Sequence, residues 1–273
     1  MSAIAVERIK TRHPSFELDE ALGVDWHGGD PFKTAIFNAL SITFPVGERF
    51  FIDAVRAFHD DITDPQLLLD LRGFIGQEAI HAREHQRYNE RLCAARGYDL
   101  AALESRSRER IAWAKENVSR FQRLAATVAY EHLTAIIADG ILRNPAWLEG
   151  ADARMAALWR WHSVEETEHK AVTFDVYKAV GGDDRRRRSM LRLATITLLK
   201  DVLRATYIML KADGRHRDIR LWGRGLMFLF GKRGILRGIL PDWRAFKRPE
   251  FHPWDHDNRG LVDDWLAKGA PST

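Results

Sequence analysis

Cysteine is nearly absent from this chain of 273 residues, in which Cys93 is the only one. One cysteine excludes an internal disulfide and a zinc site built from several cysteines. The N-terminal residues lack the apolar core of a signal peptide. No uncharged apolar run reaches the ~18 residues that a membrane-spanning helix needs. These absences fit a reducing compartment, and we expect a cytoplasmic location.

The sequence also lacks the sustained alternation of apolar and polar residues that is typical of β-strands. Instead, the first 180 residues contain apolar positions at helical spacing, interrupted by short breaks that favour antiparallel neighbours. Hydrophobic residues make up 45% of the chain, enough for a sizeable core. We therefore predict an all-α protein: a four-helix bundle in residues 1–182 and a C-terminal helical extension in residues 183–273. The four predicted helices lie within residues 31–61, 63–97, 106–144 and 151–182.

Each of the four predicted helices carries potential metal ligands. The first and third helices each place one glutamate in an apolar run, and the second and fourth each contain a Glu-x-x-His pair. Residues three apart share one face of a helix, so each pair can point at one centre. A buried, unpaired carboxylate is unfavourable by several kcal/mol, so a cation or a strong hydrogen-bond donor is expected beside it. The predicted ligands are Glu48, Glu78, His81, Glu131, Glu166 and His169.

Four carboxylates bring enough negative charge to neutralise most of the charge of two divalent cations, and each histidine adds a nitrogen. Hard oxygen ligands together with imidazole suit iron or manganese. We therefore predict two bound iron ions, with manganese or another divalent metal as the alternative. Bridging carboxylates typically hold such a pair ~3.5–4 Å apart.

Several residues near these ligands have more than one interpretation. His162 lies one turn before Glu166 and is either a seventh ligand or a hydrogen-bond partner of a ligand. Glu165 could replace Glu166, although the spacing of Glu166 matches the second helix. His85 is expected to support a ligand or to line a pocket.

Acidic and aromatic residues further from the pairs are similarly open. Asp70 and Asp175 could orient ligand histidines, or serve as helix caps or surface acids. His132 should point away from the centre because it directly follows Glu131 in a helix. The histidines and acids of residues 252–257 are interpreted as a solvated or docked tail rather than a second metal site.

The order of these ligands resembles the ferritin-like di-metal carboxylate bundle. More narrowly, "FPVGERFF", "QEAIHAREH", "YEHLTA", "HSVEETEHKAVTFD" and "EFHPWDHDN" resemble the bacterial family described as "predicted metal-dependent hydrolase". The His-x-x-x-Glu-x-x-His pattern of residues 162–169 is similar to that of the p-aminobenzoate N-oxygenase group. In that group the extra histidine is a ligand, which implies the same role for His162.

These features lead to three functional hypotheses. The first is a di-iron oxidoreductase that activates O2, with an external electron donor and an apolar, lipid-like substrate. Its catalytic residues would be the four carboxylates, Glu48, Glu78, Glu131 and Glu166. The alternative is a metal-dependent hydrolase, in which two metals activate water. The third, less favoured, is non-enzymatic metal storage or sensing.

The charge of the chain is distributed unevenly. Residues 185–248 contain 18 Lys or Arg and 4 Asp or Glu, a net charge of +14, whereas the whole chain has 42 basic and 38 acidic residues. Leucine, isoleucine, phenylalanine and tryptophan are interspersed with these arginines, a pattern that favours contact with an anionic membrane surface. We predict a peripheral location at the inner face of the membrane. Packing on the bundle or a homodimer contact is the alternative, and nucleic acid is not expected.

Overall fold

The computed structural model describes residues 5–268, and this part of the chain is helical with no β-strand. The predicted all-α class is therefore confirmed. The helices, in chain order, are α1 (Asp19–Leu22), α2 (Pro31–Arg56), α3 (Pro65–Arg96), α4 (Leu100–Asn117), α5 (Arg120–Arg143), α6 (Ala153–His169), α7 (Val172–Ala179), α8 (Asp184–Ala212), α9 (Ile219–Phe230), α10 (Ile235–Ala245) and α11 (Arg259–Ala267).

Helices α2, α3, α5 and α6 form a four-helix bundle in which each packs against two of the others. Helices α2 and α3 begin with the same local signal. An aspartate accepts hydrogen bonds from free N–H groups of the first turn, and a proline follows it. Helix α3 ends at Gly97, whose φ of +68° favours glycine. These signals fix where the ligand-bearing helices begin and end.

Two helices that we predicted as continuous are interrupted. The predicted third helix is two helices, α4 and α5, because Val118 is extended and Ser119 caps a new helix through a hydrogen bond from Gln122 N–H. The predicted fourth helix breaks after His169. There Lys170 Nζ donates to the C-terminal tail at the His256 carbonyl, 2.7 Å away. Helix α6 thus ends at a candidate ligand.

Helix α2 continues through Pro45. Proline has no N–H, so the carbonyl of Ser41, four residues earlier, loses its helical partner. The side-chain amide of Asn89 on α3 replaces that partner and donates to Ser41 O at 2.9 Å. This contact fixes the orientation of a buried amide next to the candidate centre.

The segment after residue 182 packs directly on the bundle. Helix α8 lies against α2 and α5, α9 against α2, and α10 against α5. At Gly225 a Cβ atom would lie 2.4 Å from ring atoms of Phe32, so α9 approaches α2 closely. The two parts share one hydrophobic core. The proposed domain boundary at residues 182 and 183 stays a prediction.

Residues 252–257 form a docked tail, as we expected. His252 lies 2.9 Å from Asp175, and His256 lies 3.3 Å from Asp139. Among the described helices, none combines the length and apolarity needed to cross a bilayer.

Candidate metal centre

The bundle brings all seven predicted ligands to its centre, and every one of them is buried. Their donor atoms form two groups, each spanning less than 4.8 Å, that could each hold one metal ion. One group contains Glu48, His81 and His162, and the other contains Glu78, Glu166 and His169. The seventh residue, Glu131, approaches His169 Nε2 to 3.7 Å.

Glu78 and Glu166 lie between the two groups. An oxygen of Glu78 is 3.5 Å from His81 Nδ1 and 3.2 Å from His169 Nε2. An oxygen of Glu166 is 3.6 Å from His81 Nδ1 and 3.7 Å from His169 Nε2. Carboxylates placed between two cation sites are suited to bridge them, whereas Glu48 and Glu131 lie at the two ends.

The inward-facing atoms of this cluster lack hydrogen bonds within the described part of the chain. Both oxygens of Glu48, Glu78 and Glu131, and one of Glu166, are buried without a partner. So are His81 Nδ1, His162 Nε2 and His169 Nε2. None of the four glutamates is paired with lysine or arginine in residues 5–268. Buried carboxylates need a compensating charge, so this donor set fits two divalent cations.

The outer nitrogens of two histidines are held by acceptors. His81 Nε2 lies 3.1 Å from Glu165 Oε2, and Glu165 in turn pairs with Arg12. His169 Nδ1 donates to Gln77 Oε1 at 2.8 Å, and the Gln77 amide nitrogen donates to Glu168. Once neutral, a histidine that donates through its outer nitrogen presents a lone pair on its inner nitrogen. Both rings are therefore set for metal binding.

A chain of hydrogen bonds orients His162 in the same way. The amide of Asn89 donates to Ser41 O, so its oxygen must accept the single proton of Ser41 Oγ, 2.7 Å away. His85 Nδ1 then has to donate to Ser41 Oγ at 2.8 Å. Its Nε2 is left to accept from His162 Nδ1 at 3.2 Å. The inner Nε2 of His162 therefore carries a lone pair that points at the cluster.

The pKa values of several groups in the centre are shifted by burial and by the close spacing of carboxylates and histidines. Burial, together with neighbouring carboxylates, raises the pKa of Glu48 and of Glu131 well above the usual range. Burial acts to lower the pKa of His81, but contacts with Glu165 and Glu78 outweigh it and raise the pKa to about 10. For His162, burial and the neighbouring histidines lower the pKa well below its usual value. Bound cations would displace the protons that the raised pKa values of Glu48, Glu131 and His81 retain.

An apolar cavity of about 430 Å³ reaches the centre, because Glu48 and Glu166 form part of its lining. The rest of the lining is mostly apolar and comes from α2, α4, α5 and α8. It includes Phe51, Trp113 and Leu193. The cavity therefore connects a hydrophobic space with two of the carboxylates.

The structure resolves the residues that the sequence left open. Glu165 contacts Arg12 and the outer nitrogen of His81, and so lies behind this candidate ligand rather than in the place of Glu166. His85 supports His162, as expected. Asp70 contacts Gln66 and Arg8, and Asp175 contacts His252, so neither orients a ligand histidine.

His132 points away from the centre, as predicted, and stacks on Phe246 with ring centroids 4.3 Å apart.

The sequence interpretation missed the polar residues that surround the ligands. Arg12 acts from the N-terminal segment, and no local pattern connects it with Glu165. Gln77 lies within α3 and Ser41 within α2, but neither stands out by spacing. The signal for Asn89 was Pro45, because a proline within a helix leaves a carbonyl that needs another donor.

A helical bundle with a buried centre of glutamates and histidines defines this chain as a candidate metalloprotein of the two-metal type. The chain belongs to the family described as "Predicted metal-dependent hydrolase", whose model matches residues 10–257. Neither the curated proteins nor the solved structures contain a match to this chain.

Proposed function

We propose that this protein is a two-metal enzyme that acts on an apolar substrate. The observation that carries the proposal is that Glu48 and Glu166, which have buried carboxylate oxygens without a hydrogen-bond partner in residues 5–268, both line the apolar cavity. Glu48, Glu78, His81, Glu131, His162, Glu166 and His169 would hold the metals. The surrounding helices and the apolar lining would exclude bulk water and orient the substrate.

Hydrolysis is the reaction class that the family description favours. Two bound metals can lower the pKa of a water molecule and polarise a carbonyl or phosphoryl oxygen. The cavity would accept the apolar part of an ester or a related substrate. The bond of the substrate that is cleaved would lie near Glu48 and Glu166.

Oxidation by O2 is the second candidate, and the donor set favours it. Four carboxylates and two histidines in a bundle core match the ligands of ferritin-like di-iron and di-manganese carboxylate proteins, and His162 would add a third histidine. A redox-active metal pair would supply electrons to O2, and an external donor would return them. A cavity that is poor in polar groups suits an apolar substrate of such a reaction.

One experiment separates the two reactions. The protein is purified with its native metal, reduced and exposed to O2 while the visible spectrum and O2 consumption are recorded. In parallel, it is assayed with p-nitrophenyl esters of increasing chain length. O2 uptake with a transient visible band supports oxidation, and metal-dependent ester cleavage by an O2-inert protein supports hydrolysis. If fully metal-loaded protein shows neither of these two activities, the proposal is contradicted.

The cavity itself is tested by Ala126→Phe, because Ala126 lines the cavity and is not among the ligands. We expect unchanged metal content and a loss of whichever activity is found, largest for the longest substrates. An equal loss for short and long substrates would argue against the cavity as the substrate site.

A further inference from the structure

The C-terminal segment exposes an unusual amount of apolar surface. Thirteen large hydrophobic residues are exposed in the described chain, and nine of them lie between residues 193 and 230. On α8 these residues recur every three or four positions and form a stripe along one face. On α9 the corresponding stripe includes Met227, which is 68% exposed, and Phe230, which is 59% exposed. We call the two stripes the apolar face.

The stripes of α8 and α9 meet at an open groove of about 420 Å³. Leu199 and Leu203 of α8, Phe230 of α9 and Leu240 of α10 line it together. The apolar face therefore continues into a groove that residues of three helices line. A contiguous apolar surface of this kind marks an interaction site.

Basic residues surround the apolar face. Of the 18 Lys or Arg in residues 185–248, Arg220, Arg224 and Lys232 are exposed around α9. Two of the four acids in the segment pair with arginines outside it, since Asp201 pairs with Arg110 of α4 and Asp213 pairs with Arg96 of α3. The net charge at the exposed surface of this segment is therefore strongly positive.

We propose that the apolar face docks on an anionic lipid membrane. Exposed leucine, isoleucine, methionine and phenylalanine would enter the boundary between headgroups and acyl chains, while the flanking arginines and lysines meet anionic headgroups. A second copy of the chain fits less well, because a symmetric contact would place two surfaces of the same high positive charge against each other. This docking does not depend on the chemistry of the metal centre.

The position of the cavity extends the proposal to the substrate, and this step rests on the proposed function. Leu193 is 55% exposed on the apolar face and also lines the cavity that reaches Glu48. Leu198 lines both the cavity and the groove. The cavity therefore opens beside the docked surface, and the acyl chain of a membrane lipid is the substrate class that can enter it.

Vesicle co-sedimentation tests the docking. We expect the full chain to bind vesicles of phosphatidylcholine with phosphatidylglycerol far better than vesicles of phosphatidylcholine alone. The binding should weaken between roughly 0.1 and 1 M salt, as the screening length falls from ~10 to ~3 Å. Absence of binding to anionic vesicles at low salt would overturn the proposal, as would equal binding to RNA or dimerisation that buries the apolar face.

Two double variants separate charge from apolar contact. Each well-placed positive charge contributes about fivefold to binding, so Arg220→Gln with Lys232→Gln should lower binding by roughly 25-fold. Its control, Arg56→Gln with Arg106→Gln, removes two exposed charges outside the segment.

Leu226→Gln with Met227→Gln should also lower binding while leaving its salt dependence unchanged. Its control replaces Val24 and Leu266, which are exposed apolar residues elsewhere. If either control lowers binding as much as its partner variant, the apolar face is not the docking surface. Vesicle binding is measured without substrate, so these outcomes are independent of the outcome for the enzymatic reaction.

Discussion

Replacing Ser41 by alanine should weaken metal binding, although Ser41 Oγ contacts none of the seven candidate ligands. Ser41 Oγ accepts from His85 Nδ1 at 2.8 Å and donates to Asn89 Oδ1 at 2.7 Å. Without this acceptor, His85 can carry its proton on Nε2 and donate it to His162 Nδ1. His162 would then carry its own proton on the inner Nε2, where a metal needs the lone pair.

The magnitude follows from the burial of these groups. Ser41, His85 and Asn89 are all 0% exposed, so a group that loses its partner is unfavourable by about 1–3 kcal/mol. The metal-free variant should be destabilised by about that amount. Loss of the supporting hydrogen bond at a metal-bound histidine typically lowers metal affinity by about 10–100-fold.

The assay is a competition titration of the metal against a chelator, together with 15N NMR of the histidine rings to identify the protonated nitrogen. Ser163→Ala is a matched control, because Ser163 is buried beside His162 but its hydroxyl bonds only to Trp159 O, 2.7 Å away. We expect Ser163→Ala to bind metal like the wild type. If Ser41→Ala binds metal as tightly as this control and His162 keeps its proton on Nδ1, the hydrogen-bond chain does not set the His162 tautomer.

Three further predictions concern the same centre. Glu131→Gln keeps the shape of a buried side chain whose carboxylate has no hydrogen-bond partner in residues 5–268. It should therefore lower metal content without lowering the unfolding temperature of the metal-free protein, and full metal occupancy would contradict the assignment. Metal uptake near pH 7 should release about two or more protons, because the pKa of His81 is about 10 and that of His169 is raised well above its usual value. Calorimetry in buffers of different ionisation enthalpy measures the number of protons released. Metal affinity should therefore rise with pH. Arg12→Gln removes the cation that pairs with Glu165 and Glu168 and should weaken metal binding by about tenfold, which a chelator competition would detect; affinity equal to that of wild type would show that this pair does not support the ligands.

The sequence by itself determined the parts of this protein that depend on local spacing. Positions three and four apart share a face whatever the rest of the chain does, so Glu78 with His81 and Glu166 with His169 could be recognised as pairs. Apolar periodicity predicted an all-α bundle for the same reason. The break at Ser119 was also encoded locally, but the apolar pattern on both sides of it hid the capping signal.

Only the tertiary structure decided which residues support the ligands. Arg12 and Glu165 are separated by 153 positions, and Asn89 and Ser41 by 48, so no helical period relates either pair. Their contacts exist because the bundle packs these helices and the N-terminal segment side by side. The cavity and the apolar face likewise arise from residues of several helices. Their shape depends on packing distances between helices, a quantity that no single stretch of sequence contains.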